Sequence, residues 1–231
     1  MPLEEIPLPN MLTVELDLEG TGYNNSWQIW VYDHQKEPDT GEVLVTDSFT
    51  EAFKVLAQGG KVLLSPPLNK IRGIEGKFVP VFWSPVHFPN QPGTMGILCA
   101  PSHPVFTSFP TEFHSNWQWW DISKNSESVQ IDDLDVQPLI TVMDNFFKNR
   151  KMANLFEVKV GDGSLVFSSM DLAGDLEHRP ASRQLKKSIL EYMNTTGFSP
   201  QSSVNAREIQ SFYTVAESEK LDVLSIYDHD D

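Results

Sequence analysis

From residue 11 the chain alternates between apolar and polar positions. Leu12, Val14, Leu16 and Leu18 share one side, with Thr13, Glu15 and Asp17 on the other, which is the period of two of a half-buried strand. Gly20-Thr21-Gly22 breaks the run. Trp27, Ile29 and Val31 then alternate again, with Trp30 and Tyr32 on the opposite face. Two antiparallel strands do not make a stable unit in water. The pair therefore reads as the closing hairpin of a β-sandwich, or as strands added to the edge of something larger.

A polar linker occupies 33–42, and a second pattern follows it. Val43-Leu44-Val45 is a short apolar run rich in β-branched residues. Ser48 and Glu51 have the spacing of a capping box, so a helix is expected to start there. Phe49, Ala52, Phe53 and Leu56 recur at i, i+3, i+4 and i+7 and form its apolar face, and Gly59-Gly60 stops it. The next strand, 61–65, ends at Pro66-Pro67. Strand, helix and strand in quick succession predict a βαβ unit, hence a parallel sheet with a right-handed crossover.

Further strands are expected at 79–83, 96–99 and 139–143, with a loop-rich stretch over 101–120. The runs 155–160 and 165–169 flank Gly161-Asp162-Gly163, and Asp-Gly between alternating runs predicts a hairpin. A last helix is expected over 180–194. Pro180 suits its first turn, Leu185, Ile189, Tyr192 and Met193 build its apolar face, and Gly197 lies beyond its end. After 198 the chain turns polar. These readings divide it into a hairpin and linker at 1–40, an α/β domain at 41–200 and a polar tail at 201–231.

Composition narrows the function classes. The 231 residues carry 17 Lys+Arg against 32 Asp+Glu, a net charge of −15, which argues against a nucleic-acid partner because a phosphate backbone needs a basic stripe. A 40% hydrophobic content with 11% aromatic residues is globular. No apolar run approaches the ~18–20 residues of a spanning helix, so no membrane partner is expected. The single cysteine, Cys99, excludes an internal disulfide and a cysteine-based zinc cluster. The histidines have no metal-ligand spacing, and no phosphate loop accompanies Gly161-Asp162-Gly163. Neither a metal nor a cofactor is expected. The N-terminus, acidic and proline-rich, is not a secretory signal, so the chain is either cytoplasmic or the tail of a longer exported protein.

The most unusual stretch is 112–121, Glu-Phe-His-Ser-Asn-Trp-Gln-Trp-Trp-Asp. An aromatic face stacks on the C–H face of a pyranose, and amides and carboxylates bind its hydroxyls. His114, Asn116, Trp117, Trp119 and Trp120 are therefore candidates for a sugar-binding wall. The competing reading places these indoles in a core or an interface. If the segment is helical, Trp117 and Trp120 share a face; if it is extended, Trp117 and Trp119 do. Cys99, with His103 or His114 as base, would make a nucleophile of a hydrolase or transferase. However, Leu98 and Pro101 do not suit the strained elbow that such a nucleophile occupies.

The strings Phe82-Trp83-Ser84-Pro85-Val86, Gly93-Thr94-Met95-Gly96-Ile97-Leu98-Cys99, His103-Pro104-Val105-Phe106 and 109–120 together resemble the C-terminal region of bacterial, Bacteroidetes-type glycoside hydrolase family 2 proteins of the β-galactosidase-like kind. The opening, Leu18 to Thr21 and Asn25 to Tyr32, is similar to the last strands of an immunoglobulin-like sandwich in such enzymes. The resemblance covers roughly 11–200. It implies a three-layer, flavodoxin-like α/β domain of the class I glutamine-amidotransferase-like type behind a short β-hairpin. The catalytic carboxylates of that family sit on an upstream barrel of about 200–250 residues, for which this chain has no room, and the sequence holds no Asn-Glu dipeptide. The resemblance thus implies a non-catalytic accessory domain of a family 2 glycosidase. Its partners would be a carbohydrate or the catalytic barrel of the parent enzyme, with self-association into a homo-oligomer as a further assembly reading.

Overall fold

The computed structural model describes residues 3, 5–34, 38–77 and 93–214. The first two strands, β1 (Asn10–Asp17) and β2 (Asn24–Val31), form an antiparallel hairpin in which Leu12 faces Ile29 and Val14 faces Trp27. Directly opposed residues share a face, so the apolar side expected from the alternation is continuous across both strands. Most of that face is open to solvent, including Val14, Leu16, Trp27 and Ile29.

The remaining strands build one mixed sheet of eight. The predicted βαβ unit is present: β3 (Val43–Thr46), α1 (Phe49–Leu56) and β4 (Lys61–Leu64), with β3 and β4 parallel. Ser48 caps α1 by accepting from Glu51 N–H, but the Glu51 carboxylate accepts from Thr46 Oγ1 instead of closing the box. Gly59 takes φ +77°, the left-handed turn that ends the helix segment. On its other side β4 pairs in parallel with β10 (Gly163–Ser168), and there the parallel arrangement stops.

β10 is joined to β9 (Met152–Val160) by the Gly161-Asp162 turn, and a turn that short connects only antiparallel neighbours. β9 also pairs antiparallel with β8 (Pro138–Asp144) and with β7 (Glu127–Gln130). β6 (Thr94–Cys99) adds antiparallel to β8, and β5 (Ile74–Glu75) to β7. The three-layer flavodoxin-like, amidotransferase-like fold expected from the βαβ unit is therefore overturned. The described residues are 33% strand and 21% helix, and among them no second crossover helix links parallel neighbours. One βαβ unit is locally compatible with either topology, and the meander of β6, β8, β9 and β10 decides for a mixed sheet. The strand expected at 79–83 lies outside the described residues.

Alternation along the central strands sends side chains to two cores. Val62 and Leu64 of β4 and Leu165 and Phe167 of β10 face one side; Leu63 and Val166 face the other. The first side is covered by α1 and by a segment the sequence had placed in the polar tail. There α4 (Ala206–Gln210), closed by a capping box between Asn205 and Glu208, brings Val204, Ile209, Phe212 and Tyr213 into the core. The second side is covered by α3 (Pro180–Met193), which starts at Pro180 as expected, and by the loops carrying Phe106, Phe109 and Trp119.

The β8–β9 connection is held by an ion pair. Arg150 reaches Asp144 through Nε at 2.8 Å and Nη2 at 2.9 Å, and the Arg150 and Asn145 N–H groups add two more bonds. Burial opposes ionisation of Asp144, but these donors outweigh it and hold the carboxyl below its ordinary value. A lowered folded-state value stabilises above the unfolded value of 3.8 and is lost as pH falls through the folded one. Asp144→Asn is expected to cost about 2–3 kcal/mol near neutrality. The gap to wild type should close below about pH 3.8 in urea unfolding followed against pH.

Helix α1 crosses the start of β10 closely. A Cβ on Gly163 would lie 2.6 Å from Leu56 Cα, so helix backbone would have to move. Gly163→Ala is expected to lower stability by about 1–3 kcal/mol, read as a shift in the denaturant midpoint at unchanged slope.

Candidate functional site

The segment 112–121 is helical where it matters. Asn116 caps a 3-10 turn, Trp117–Trp119, by accepting from Gln118 N–H, and the turn runs into α2 (Trp120–Lys124). Successive side chains therefore turn away from one another. Trp119 points inward and is fully buried, meeting Phe109 edge-on at 5.2 Å and donating its indole N–H to Thr111 Oγ1 at 2.8 Å. Trp117 and Trp120 point outward, 73% and 37% exposed, with ring centroids 5.6 Å apart. The ammonium of Lys124 lies 5.1 Å over the Trp120 ring.

Trp117 and Trp120 form one wall of a cleft of about 580 Å³. The facing wall comes from the hairpin: Ile29, Trp30, Val31 and Tyr32. The floor carries Gln118, Asp121 and the entry to α3 at His178, Arg179, Pro180 and Ala181. Arg179 is the fixed point of this floor. Its Nε donates to Asp121 at 2.6 Å, and its Nη1 donates to Asp171 at 2.7 Å and to the Gly174 carbonyl at 3.0 Å. Asp121 also accepts from Ser182 Oγ at 3.1 Å. The start of α2, the exit of β10 and the start of α3 are thus tied at one guanidinium. His178 lies beside it, and its bond to Asp175 pushes the imidazole above its ordinary value.

Hairpin and sheet meet at Tyr32. Gln118 Nε2 donates to the Tyr32 hydroxyl at 2.6 Å and to the Pro110 carbonyl at 2.9 Å, and the Tyr32 ring stacks on Phe109 at 6.2 Å. Burial pushes the Tyr32 phenol up, against the opposing pull of the Gln118 bond, so it stays protonated. Among the described residues, three buried polar atoms of the side chains that line the cleft have no hydrogen-bond partner: Trp30 Nε1, Gln118 Oε1 and Arg179 Nη2. Such groups are costly unless something binds them.

Of the five residues read as a sugar wall, the structure brings Trp117 and Trp120 together on the cleft. Trp119 belongs to the core, because one turn of helix cannot point Trp117, Trp119 and Trp120 the same way. Asn116 is spent on the cap and on Glu112, to which its Nδ2 donates at 2.8 Å. His114 stacks on Phe113 at 4.7 Å, with Nδ1 3.8 Å from Glu112, and does not line the cleft. The sequence reading missed Trp30 and Arg179, and it counted Gln118 and Asp121 only among the polar flanks of the tryptophans. The alternation had put Trp30 opposite the apolar face of the hairpin, and that was the available signal.

Cys99 has none of the surroundings of a nucleophile. Its Sγ donates to the Glu112 carbonyl at 3.3 Å, and burial pushes the thiol up to about 12. His103 accepts from Val105 N–H through Nδ1 and so caps its own 3-10 turn. A smaller cavity of about 260 Å³, where Asp47, Ser65 and Asp171 follow the parallel strands, holds two carboxylates and no base paired to a nucleophile. Among the described residues no cluster could hold a metal ion, and no helix is long and apolar enough to cross a membrane. Alkylation of native protein by iodoacetamide at pH 8 is expected to leave Cys99 almost unmodified, with full labelling only after unfolding in urea; rapid labelling of the folded state would reverse this assignment.

Two families match the chain, and their boundary falls between the two walls of the cleft. Residues 1–33, the hairpin, match a domain of unknown function, DUF8488. Residues 44–214, the sheet and everything packed on it, match a second domain of unknown function, DUF8487. A search of curated proteins gives no match. With most of its length in that second match, including the tryptophan turn and the whole mixed sheet, the chain belongs to the DUF8487 family of domains of unknown function.

Proposed function

We propose that the chain is a non-catalytic, carbohydrate-associated accessory domain whose cleft takes a neutral saccharide. The observation that carries this reading is the pair of outward indoles, Trp117 and Trp120, beside a floor where Asp121 and Arg179 hold each other and Tyr32 and Pro110 hold the Gln118 amide. Flat aromatic surface suits the C–H face of a sugar ring, and prearranged polar groups suit its hydroxyls without further ordering cost. Two carboxylates at Arg179 and a chain charge of −15 disfavour an acidic sugar. The reactive groups of the rival reading are engaged elsewhere, which supports binding without turnover. From the resemblance to family 2 glycosidases we take a β-galactoside as the saccharide to test and a catalytic barrel as the proposed parent partner.

Titration with lactose, followed by tryptophan emission and by calorimetry, tests the reading. Trp117→Ala and Trp120→Ala are each expected to weaken binding by up to about tenfold while leaving the unfolding midpoint nearly unchanged. Trp119→Ala is expected to destabilise by about 3–5 kcal/mol instead. Unchanged saccharide affinity in both outward variants would sink the proposal.

A further inference from the structure

A cavity of about 410 Å³ shares no residue with the tryptophan cleft. It opens where β5 and β7 meet the segment that follows α4, and both signs of charge line it: Arg72 and Arg150, Asp132 and Asp133. Two of the five arginines in the chain lie here. Arg150 is held by Asp144 through Nε and Nη2, which leaves Nη1, and its side chain is 21% exposed, within reach of a solute. Asn149, just before it, takes φ +48°, a left-handed conformation uncommon outside glycine. Asp132 is fixed because its two oxygens accept from the Lys151 N–H at 3.1 and 3.2 Å. Arg72 is fixed at its backbone, where its N–H donates to the Phe212 carbonyl at 2.6 Å. Arg72, Asp132 and Asp133 are all exposed, yet among the described residues no ion pair joins the guanidinium to either carboxylate.

Opposite charges that line one cavity without joining match a ligand that carries both. A simple anion would meet Asp132 and Asp133, and a simple cation would meet the two guanidiniums; a zwitterion can set each of its ends against the opposite sign. We infer that this cavity binds a free α-amino acid, with its carboxylate on Arg72 and Arg150 and its ammonium on Asp132 and Asp133. A guanidinium fits a carboxylate through paired N–H donors. Ile74 and Phe212 line the same space and offer apolar contact to an aliphatic side chain. With Asp144 behind Arg150, three carboxylates stand against two guanidiniums, so losing the ammonium of the ligand costs more than losing its carboxylate. The site is independent of the carbohydrate reading.

Calorimetric titration of the full chain with L-leucine and the other common amino acids tests this, together with the N-acetyl and amide forms of whichever binds best. The expected result is binding of L-leucine or another aliphatic amino acid. Its N-acetyl form, which has no ammonium, and its amide, which has no carboxylate, should each bind at least about tenfold more weakly, the N-acetyl form weakest. Arg72→Gln and Asp133→Asn change exposed side chains, so each should weaken binding about tenfold with the denaturant midpoint unchanged. No binding of any amino acid overturns the proposal. So does an N-acetyl or amide form that binds as tightly as its parent, or full affinity in both variants.

Discussion

Trp119 has to be enclosed, and that requirement sets the geometry of everything beside it. The ring sits edge-on to Phe106 and Phe109, and its one polar atom is satisfied by Thr111. Few side chains bury more apolar surface, so the position is held against most perturbation. Because the backbone there is a helical turn, anchoring Trp119 inward aims Trp117 and Trp120 outward together. The next residue, Asp121, catches Arg179 and through it the start of α3. The direction of the exposed aromatic wall is thus set by the core beneath it before any ligand arrives.

Where a segment has one dominant period, the sequence was readable. The run from Val43 to Leu64 carries a strand, a capped amphipathic helix and a second strand, and the structure has all three. The Asp-Gly turn between β9 and β10 was equally plain. Other elements had no such signal. β7 is Glu-Ser-Val-Gln, with one apolar residue in four, and it is a strand because β9 offers it an edge. The stretch from Val204 to Tyr213 spreads its five core side chains among polar neighbours, and it packs because the sheet face beneath it would otherwise be bare. Sheet topology was hidden for a related reason: a βαβ unit fixes only its own two strands and says nothing about the direction of the next.

The same division holds for the cleft. Helical spacing was enough to pair Trp117 with Trp120, and it separated them from Trp119 once the turn was known to be helical. Arg179 and Trp30 could not be reached that way, since they lie 58 residues after Asp121 and 87 before Trp117 in the chain, and only tertiary packing brings them together. Gln118 looked like one polar residue among several in a loop; its importance comes from the two partners that its amide nitrogen holds.

The bare apolar face of the hairpin has a colloidal consequence. Leu16, Trp27 and Ile29 meet water directly, a surface that in most proteins would draw copies together. Fifteen excess negative charges oppose that at neutral pH by mutual repulsion. Acidification toward the isoelectric point near 4.7 removes the repulsion and leaves the sticky ribbon untouched. The acidity of this chain therefore opposes association of the exposed strand pair at neutral pH, and that opposition fades toward the isoelectric point.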